Sequence, residues 1–302
     1  MEARACRQCE LIMSFGFSCE TTEATTEDGY IIEVDRLGLL APDNSTSPEE
    51  SGANRNPIIL VPGILADSGS WFTNYPSQGP GFMLAQRGYD IWVMNTREIA
   101  HRSRHKTLSQ KEDSFDEIGR YDIAAVIDLV LNVTGANKVT LLAYSQGMTG
   151  SLVLLSTKAE YNEKVDLLIG YGPVANVTHI GSPIRELIAV SDPLFNNRAK
   201  DFLMYDYGAS KNKERYGQEK PPAYEVDRIT VKTALFSSEG DTIADPEDVS
   251  LLAERLASNL LFNRVVAPKD FRHLDFCYGY QATDFLHKPM IETVEKYAGT
   301  RT

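Results

Sequence analysis

The stretch VTLLAYSQGM (139–148) holds the residues best suited to chemistry. An apolar run ends at Tyr144, Ser145 stands on a turn, and Gly147 opens a helical pattern. A serine between a buried strand and a helix, with small residues two before and two after it, makes a nucleophile elbow, G-x-S-x-G. Here Ala143 takes the first glycine position. The turn forces strained angles on the serine, and its small neighbours let strand and helix approach without a clash. The backbone N–H of Gln146 points at the oxygen on which negative charge develops, and the helix dipole assists it.

A serine hydroxyl is a weak nucleophile until a base takes its proton. In elbow architectures the acid follows the serine in the chain, and the base follows the acid. Five histidines are available: His101, His105, His179, His273 and His287. His273 lies in PKDFRHLDF, just past an apolar run ending at Ala267, where the base belongs. His101 and His105 precede the serine in the basic loop HRSRHK and read as solvated. His179 falls in an irregular stretch, and His287 reads as a surface residue of the last helix. Asp241, in SSEGDTIADP directly after the run TALFSS, is placed to orient His273. Asp245 reads instead as the cap of the helix beginning PEDV. A second oxyanion donor is expected from VPGILADSGSW, with the N–H of Ile64 after Gly63 the natural candidate.

These side chains need a scaffold. Residues 19–37 alternate around Asp28-Gly29, a hairpin signal. Residues 41–56 form a polar loop. Short apolar strands are expected at 57–63, 89–95, 139–144, 165–172, 233–238 and 263–268, with helices at 115–134 and 146–158. Continuous apolar strands alternating with helices imply an α/β fold, with a parallel sheet covered on both faces. Residues 176–230 break the rhythm and read as an insertion over one sheet edge within a single domain spanning 1–302. Trp71 and Trp92 read as core or pocket wall, and the loop from Arg97 to Lys106 as a solvated face.

Composition narrows the function. Lysine and arginine number 30 against 42 aspartates and glutamates, for a net charge of −12. That balance excludes nonspecific binding to nucleic acid or to an anionic membrane surface. No run of about 18 apolar residues occurs, so no transmembrane helix is expected. Cys6 and Cys9 form a CxxC without a second pair or a nearby histidine, so neither a zinc nor a redox site is expected. Free thiols, or one bridge within the N-terminal segment, are the open readings for Cys6, Cys9 and Cys19. Sequons stand at Asn44, Asn132 and Asn176, each expected on a surface loop if glycosylated. Residues 1–18 lack the charged head, apolar stretch and small-residue cleavage site of a signal peptide.

The chain resembles the acid lipases of the gastric and lysosomal type, an α/β-hydrolase family. TTEDGYIIEVDRL, VPGILADSGSWFTN, GFMLAQRGYDIWVMNTR, HKTLS, FDEIGRYDIAAVIDLVLNVTG, LIGYGPVANVTHIGSP, PPAYEVDRITVKTALFSSEGDTIADPEDVSLL and HLDF follow in family order over nearly the whole length. The resemblance implies a metal- and cofactor-free esterase or lipase. Its expected substrates are triacylglycerols or cholesteryl esters met at a lipid–water interface, and its expected location is secreted or lysosomal. It maps Ser145 to the nucleophile, Asp241 to the acid, His273 to the base, and Gln146 and Ile64 to the oxyanion donors. Three departures stand out. Pro62-Gly63 replaces the family's His-Gly, and Ala143-Tyr144 replaces Gly-His at the elbow. The third is the cap, which runs to well over a hundred residues in the family. Here Pro183 and Val231 stand only about 50 residues apart, although the cap's tail, AKDFLMYDYGASKNKERYGQEKPPAY, is recognisable. A shortened cap at 176–230 implies a preference for shorter esters; the alternative is a catalytically weak or inactive lipid-binding relative.

Overall fold

The computed structural model describes residues 7–39, 55–108, 114–181 and 201–300. Nine strands are found among them: β1 (Phe17–Thr25), β2 (Tyr30–Leu39), β3 (Ile58–Val61), β4 (Ile91–Met94), β5 (Ser103–His105), β6 (Val139–Tyr144), β7 (Val165–Tyr171), β8 (Lys232–Ser237) and β9 (Leu260–Val265). They form one mixed sheet in the order β1-β2-β4-β3-β6-β7-β8-β9, with β5 pairing the free stretch of β2. From β4 to β9 all neighbours are parallel, while β1, β2 and β5 pair antiparallel.

The expected hairpin is β1–β2, turning at Gly29 with φ +101°. That left-handed angle suits glycine. The central strands are buried on both faces, as their unbroken apolar runs require. Ile59, Val61, Leu141 and Ala143 face one core, beneath the helices Ala124–Thr134, Gln146–Thr157 and Pro246–Arg255. Ile58, Leu60, Leu142 and Tyr144 face the other, beneath Pro80–Ala85, Asp275–Tyr278 and Lys288–Tyr297. The helix expected over 115–134 is continuous but carries a π-helical stretch at Ile118–Ile123. No helix among the described residues is long and apolar enough to cross a membrane.

Several expectations need correction. The last strand runs over Leu260–Val265, not 263–268. It is an edge strand with Arg264 and Val265 exposed, while Val266, just past its end, is buried. The loop Arg97–Lys106 is only partly the solvated face expected: Ala100, His101, Arg104 and Lys106 are exposed, but two of its arginines are not. Arg97 is fully buried, 2.8 Å from both Asp122 and Asp28, and its guanidinium lies 4.1 Å over the Tyr30 ring. Burial pulls the Arg97 pKa down, but Asp122 and Asp28 outweigh it and hold the group above its ordinary value. Arg102 is also buried, bonded to Asp35 and Glu33. His287 is buried too, against Tyr171.

Cys9 and Cys19 form a disulfide that ties the helix Arg7–Ser14 to β1. Cys6 lies outside the described residues, and Cys277 is a buried free thiol. Of the insertion read at 176–230, residues 182–200 lie outside the described residues. Its later part folds back onto the domain. Leu203 bridges Ala223, and the Phe202 and Tyr224 rings, 4.6 Å apart, pack on Phe115. Tyr207 donates to Glu117 at 2.6 Å.

Candidate active site

β6 ends at Tyr144, and the next residue turns the chain through φ +54°. Ser145 and Leu65 are the non-glycine residues with positive φ among those described, and both stand at this site. Left-handed backbone at a non-glycine residue stores strain and persists only where the surroundings enforce it. The enforcement here is close packing. A Cβ on Gly147 would come within 2.6 Å of the Val61 and Pro62 carbonyl oxygens, so only glycine lets the helix Gln146–Thr157 start so near β3. The Ser145 N–H donates to the Tyr171 carbonyl at 2.9 Å, tying the elbow to β7.

The structure brings Ser145, His273 and Asp241 together from three loops at the carboxyl ends of β6, β8 and β9. His273 Nε2 lies 2.7 Å from Ser145 Oγ, and His273 Nδ1 lies 2.7 Å from Asp241 Oδ2. All three are almost fully buried. The other carboxylate oxygen of Asp241 accepts from the N–H groups of Ile243 and Ala244 at 2.8 and 3.0 Å. Asp245 does what its position implied: it caps the helix Pro246–Arg255 by accepting from Glu247 N–H at 2.9 Å. The acid and base loops touch because Gly240 has no Cβ. One there would meet the Lys269 and Phe271 carbonyl oxygens at 2.6 and 2.8 Å. Ser238 Oγ donates to that Phe271 carbonyl and joins the loops again.

The two residues expected to donate to an oxyanion both stand beside the elbow: Gln146 follows Ser145, and Ile64 follows Gly63, which packs against it. Gln146 opens its helix, so its N–H lies in the first turn, where no intrahelical acceptor is available. Gly63 lies against the elbow, since a Cβ on it would come 3.2 Å from Ser145 Cβ. Ile64 follows it, in a turn closed by Ala66 N–H donating to Gly63 O at 3.2 Å. Beyond the turn, Asp67 caps the short helix Ser68–Phe72, Ser68 N–H donates to Asn95 Oδ1, and Ser68 Oγ to buried Asp35. The Gln146 side chain donates to Glu98 at 3.1 Å.

The other histidines stay away from the site. His101 is exposed near Asp67, His105 bonds the Asp28 carbonyl, and His179 bonds Asp248. Two contributors escaped sequence reading. Gly172, with φ +48°, sits directly under the pair His273–Asp241, and Tyr144 Oη donates to the His273 carbonyl at 2.9 Å. Among the sequons, Asn132 is exposed near the end of its helix, whereas Asn176 is buried and so lacks the exposure that a glycosylated site requires. Asn44 lies outside the described residues.

Residues 56–199 match the model of the alpha/beta hydrolase fold, and residues 9–75 match that of a partial alpha/beta-hydrolase lipase region. An esterase of Pyrococcus furiosus superposes with a TM-score of 0.61 at 14% identity, covering 95% of this chain and 94% of that one. The chain has the alpha/beta hydrolase fold, and its lipase relatives support a carboxylic ester hydrolase. Within that class it bears out the resemblance to the acid lipases. It is 28% identical to human lysosomal acid lipase/cholesteryl ester hydrolase, over 95% of this chain and 90% of that protein. It is 26% identical to rat gastric triacylglycerol lipase, over 93% and 90%. The match to the lysosomal protein extends over 368 positions, more than the 302 residues here, so that relative carries internal residues with no counterpart in this chain.

Proposed function

We propose that the chain hydrolyses neutral lipid esters, of the triacylglycerol or cholesteryl ester class, through an acyl-enzyme. The observation that carries this is the unbroken line Asp241–His273–Ser145, with 2.7 Å at each step, on a strained elbow. His273 Nε2 takes the Ser145 proton as Oγ bonds to the ester carbonyl carbon. The carbonyl oxygen becomes an oxyanion facing the N–H groups of Gln146 and Ile64. On collapse, the bond to the alcohol oxygen breaks and that oxygen leaves with the proton from His273. Water, deprotonated by the same nitrogen, then releases the fatty acid and restores Ser145. Asp241 keeps Nδ1 protonated and stabilises the imidazolium.

The stretch 176–230 is read as a shortened cap, and the part of it described at 201–230 packs on Phe115 and Glu117. With less apolar wall to hold an acyl chain, the enzyme prefers shorter or more soluble esters and depends little on an interface. A secreted or lysosomal location fits the Cys9–Cys19 bridge, because disulfides persist in oxidising compartments. The exposed sequon at Asn132 fits the same route.

The experiment is labelling by a fluorophosphonate probe together with turnover of p-nitrophenyl esters of rising chain length. Wild type is expected to label and to cleave butyrate faster than palmitate, while Ser145→Ala does neither. Equal labelling of Ser145→Ala rejects the nucleophile. A folded wild type that neither labels nor turns over favours the lipid binder. A strong long-chain preference, with a jump in rate at the micelle threshold, rejects the role given to the short cap.

A further inference from the structure

We propose that Tyr144 is a positioning residue for His273, its hydroxyl fixing the base loop and its ring bracing the oxyanion turn. The proposal rests on the Ser145–His273–Asp241 mechanism and adds a member to it. Tyr144 is the last residue of β6, on the opposite face of the sheet from Ala143, and is 3% exposed. Its hydroxyl donates to the main-chain carbonyl of His273 at 2.9 Å. Its ring lies beside the imidazole, with centroids 5.2 Å apart and planes inclined by 30°. On its other side the ring occupies the space that a Gly63 side chain would need, with ring carbons 3.0 and 3.1 Å from the would-be Cβ. One buried ring therefore touches the base loop and the turn that carries Ile64, and it is covalently joined to the nucleophile.

This geometry has a mechanistic consequence. His273 Nε2 must stay within hydrogen-bond reach of Ser145 Oγ and then deliver the same proton to the leaving oxygen. A small drift of the His273 main chain moves both distances at once, and misplacement of that kind costs rate without costing binding. The ring's ionisable surroundings are Cys277, Asp241, Tyr278 and Asp275. Burial, then those groups, push its phenol well above 10, so it remains a donor at every working pH. Pro62-Gly63 and Ala143-Tyr144 are also the two places where the site departs from the family pattern. The contact of Tyr144 with Gly63 makes them one packing unit.

Tyr144→Phe tests this, because it keeps the ring and deletes only the donor. For p-nitrophenyl butyrate, kcat is expected to fall about tenfold with KM unchanged within about twofold, and labelling by the fluorophosphonate to slow by the same factor. A fall in kcat at unchanged KM, with the ring still in place, is an outcome that a loss of packing alone does not produce. Wild-type kcat overturns the proposal, whatever happens to the Tm. If Tyr144→Phe is insoluble, Tyr144→Met fills the volume without ring or donor. A loss of kcat at least as large supports the proposal, and wild-type kcat overturns it. Retained turnover in Ser145→Ala rejects the underlying mechanism instead, so the two failures are distinguishable.

Discussion

The carboxylate of Asp241 is divided between two tasks: Oδ2 stands 2.7 Å from His273 Nδ1, while Oδ1 accepts the backbone N–H groups of Ile243 and Ala244. A carboxylate held by its own loop cannot turn away from the imidazole, so the orientation of the ring is decided before substrate arrives. Asp241→Asn keeps one oxygen for the backbone donors and loses the charge. Turnover is then expected to fall roughly 10³–10⁴-fold, with KM and Tm near wild type. A loss under tenfold would mean that His273 is oriented by something else.

Gly172 sets how near the pair can lie to β7. A methyl there would stand 3.1 Å from the imidazole and 3.3 Å from Asp241 Oδ2, on backbone with φ +48°. Gly172→Ala is expected to cost about 1–2 kcal/mol in stability from the left-handed conformation. It should cost more than tenfold in kcat, because the ring is what must give way. Differential scanning calorimetry and steady-state kinetics check the two parts; wild-type turnover would show that the base loop absorbs the methyl freely.

Much of the site could be read from the chain, because its signals are local or scarce. The elbow is ten consecutive residues, and with five histidines the choice of base was short. What escaped depends on partners distant in sequence. Arg97 looked solvated in a basic loop, yet its carboxylates come from Asp28 in the hairpin turn and Asp122 in a helix. His287 looked like a surface position on a regular helix. A π-helical stretch at Thr283–His287 shifts the register there, and the imidazole turns inward onto Tyr171. Tyr144 carried no signal for its hydroxyl bond, since the acceptor is a main-chain carbonyl 129 residues away.

The Cys9–Cys19 bridge closes a short loop at the far edge of the sheet, away from Ser145. Loop-closure entropy puts its contribution at about 2–3 kcal/mol. For a chain of this size that corresponds to a Tm lower by roughly 5 °C in the double Cys→Ser variant. Reductant should lower the wild-type Tm by a like amount and leave the variant unmoved, with turnover at 25 °C unchanged in both. A wild-type Tm indifferent to reductant would show that the bridge does not form in solution.

His287 should make the fold sensitive to acid. Burial lowers its pKa from 6.5 to about 3. The unfolded chain therefore takes up a proton below 6.5 that the folded chain refuses. Stability contributed by the neutral ring is complete above 6.5 and is lost progressively as pH falls toward 3, at up to about 1.4 kcal/mol per pH unit. His179 works in the opposite sense. Its hydrogen bond to Asp248 raises its pKa, so what it contributes is present below 6.5 and fades as pH rises through the folded value. Because His179 is exposed and His287 is enclosed, the buried ring sets the trend. His287→Asn can still meet the Tyr171 hydroxyl but does not titrate. It should be less stable than wild type at pH 7, from lost packing, yet lose less Tm between pH 7 and pH 4. Parallel Tm curves for the two proteins over that range would mean that His287 takes up its proton in the folded state, and that carboxylates elsewhere govern acid unfolding.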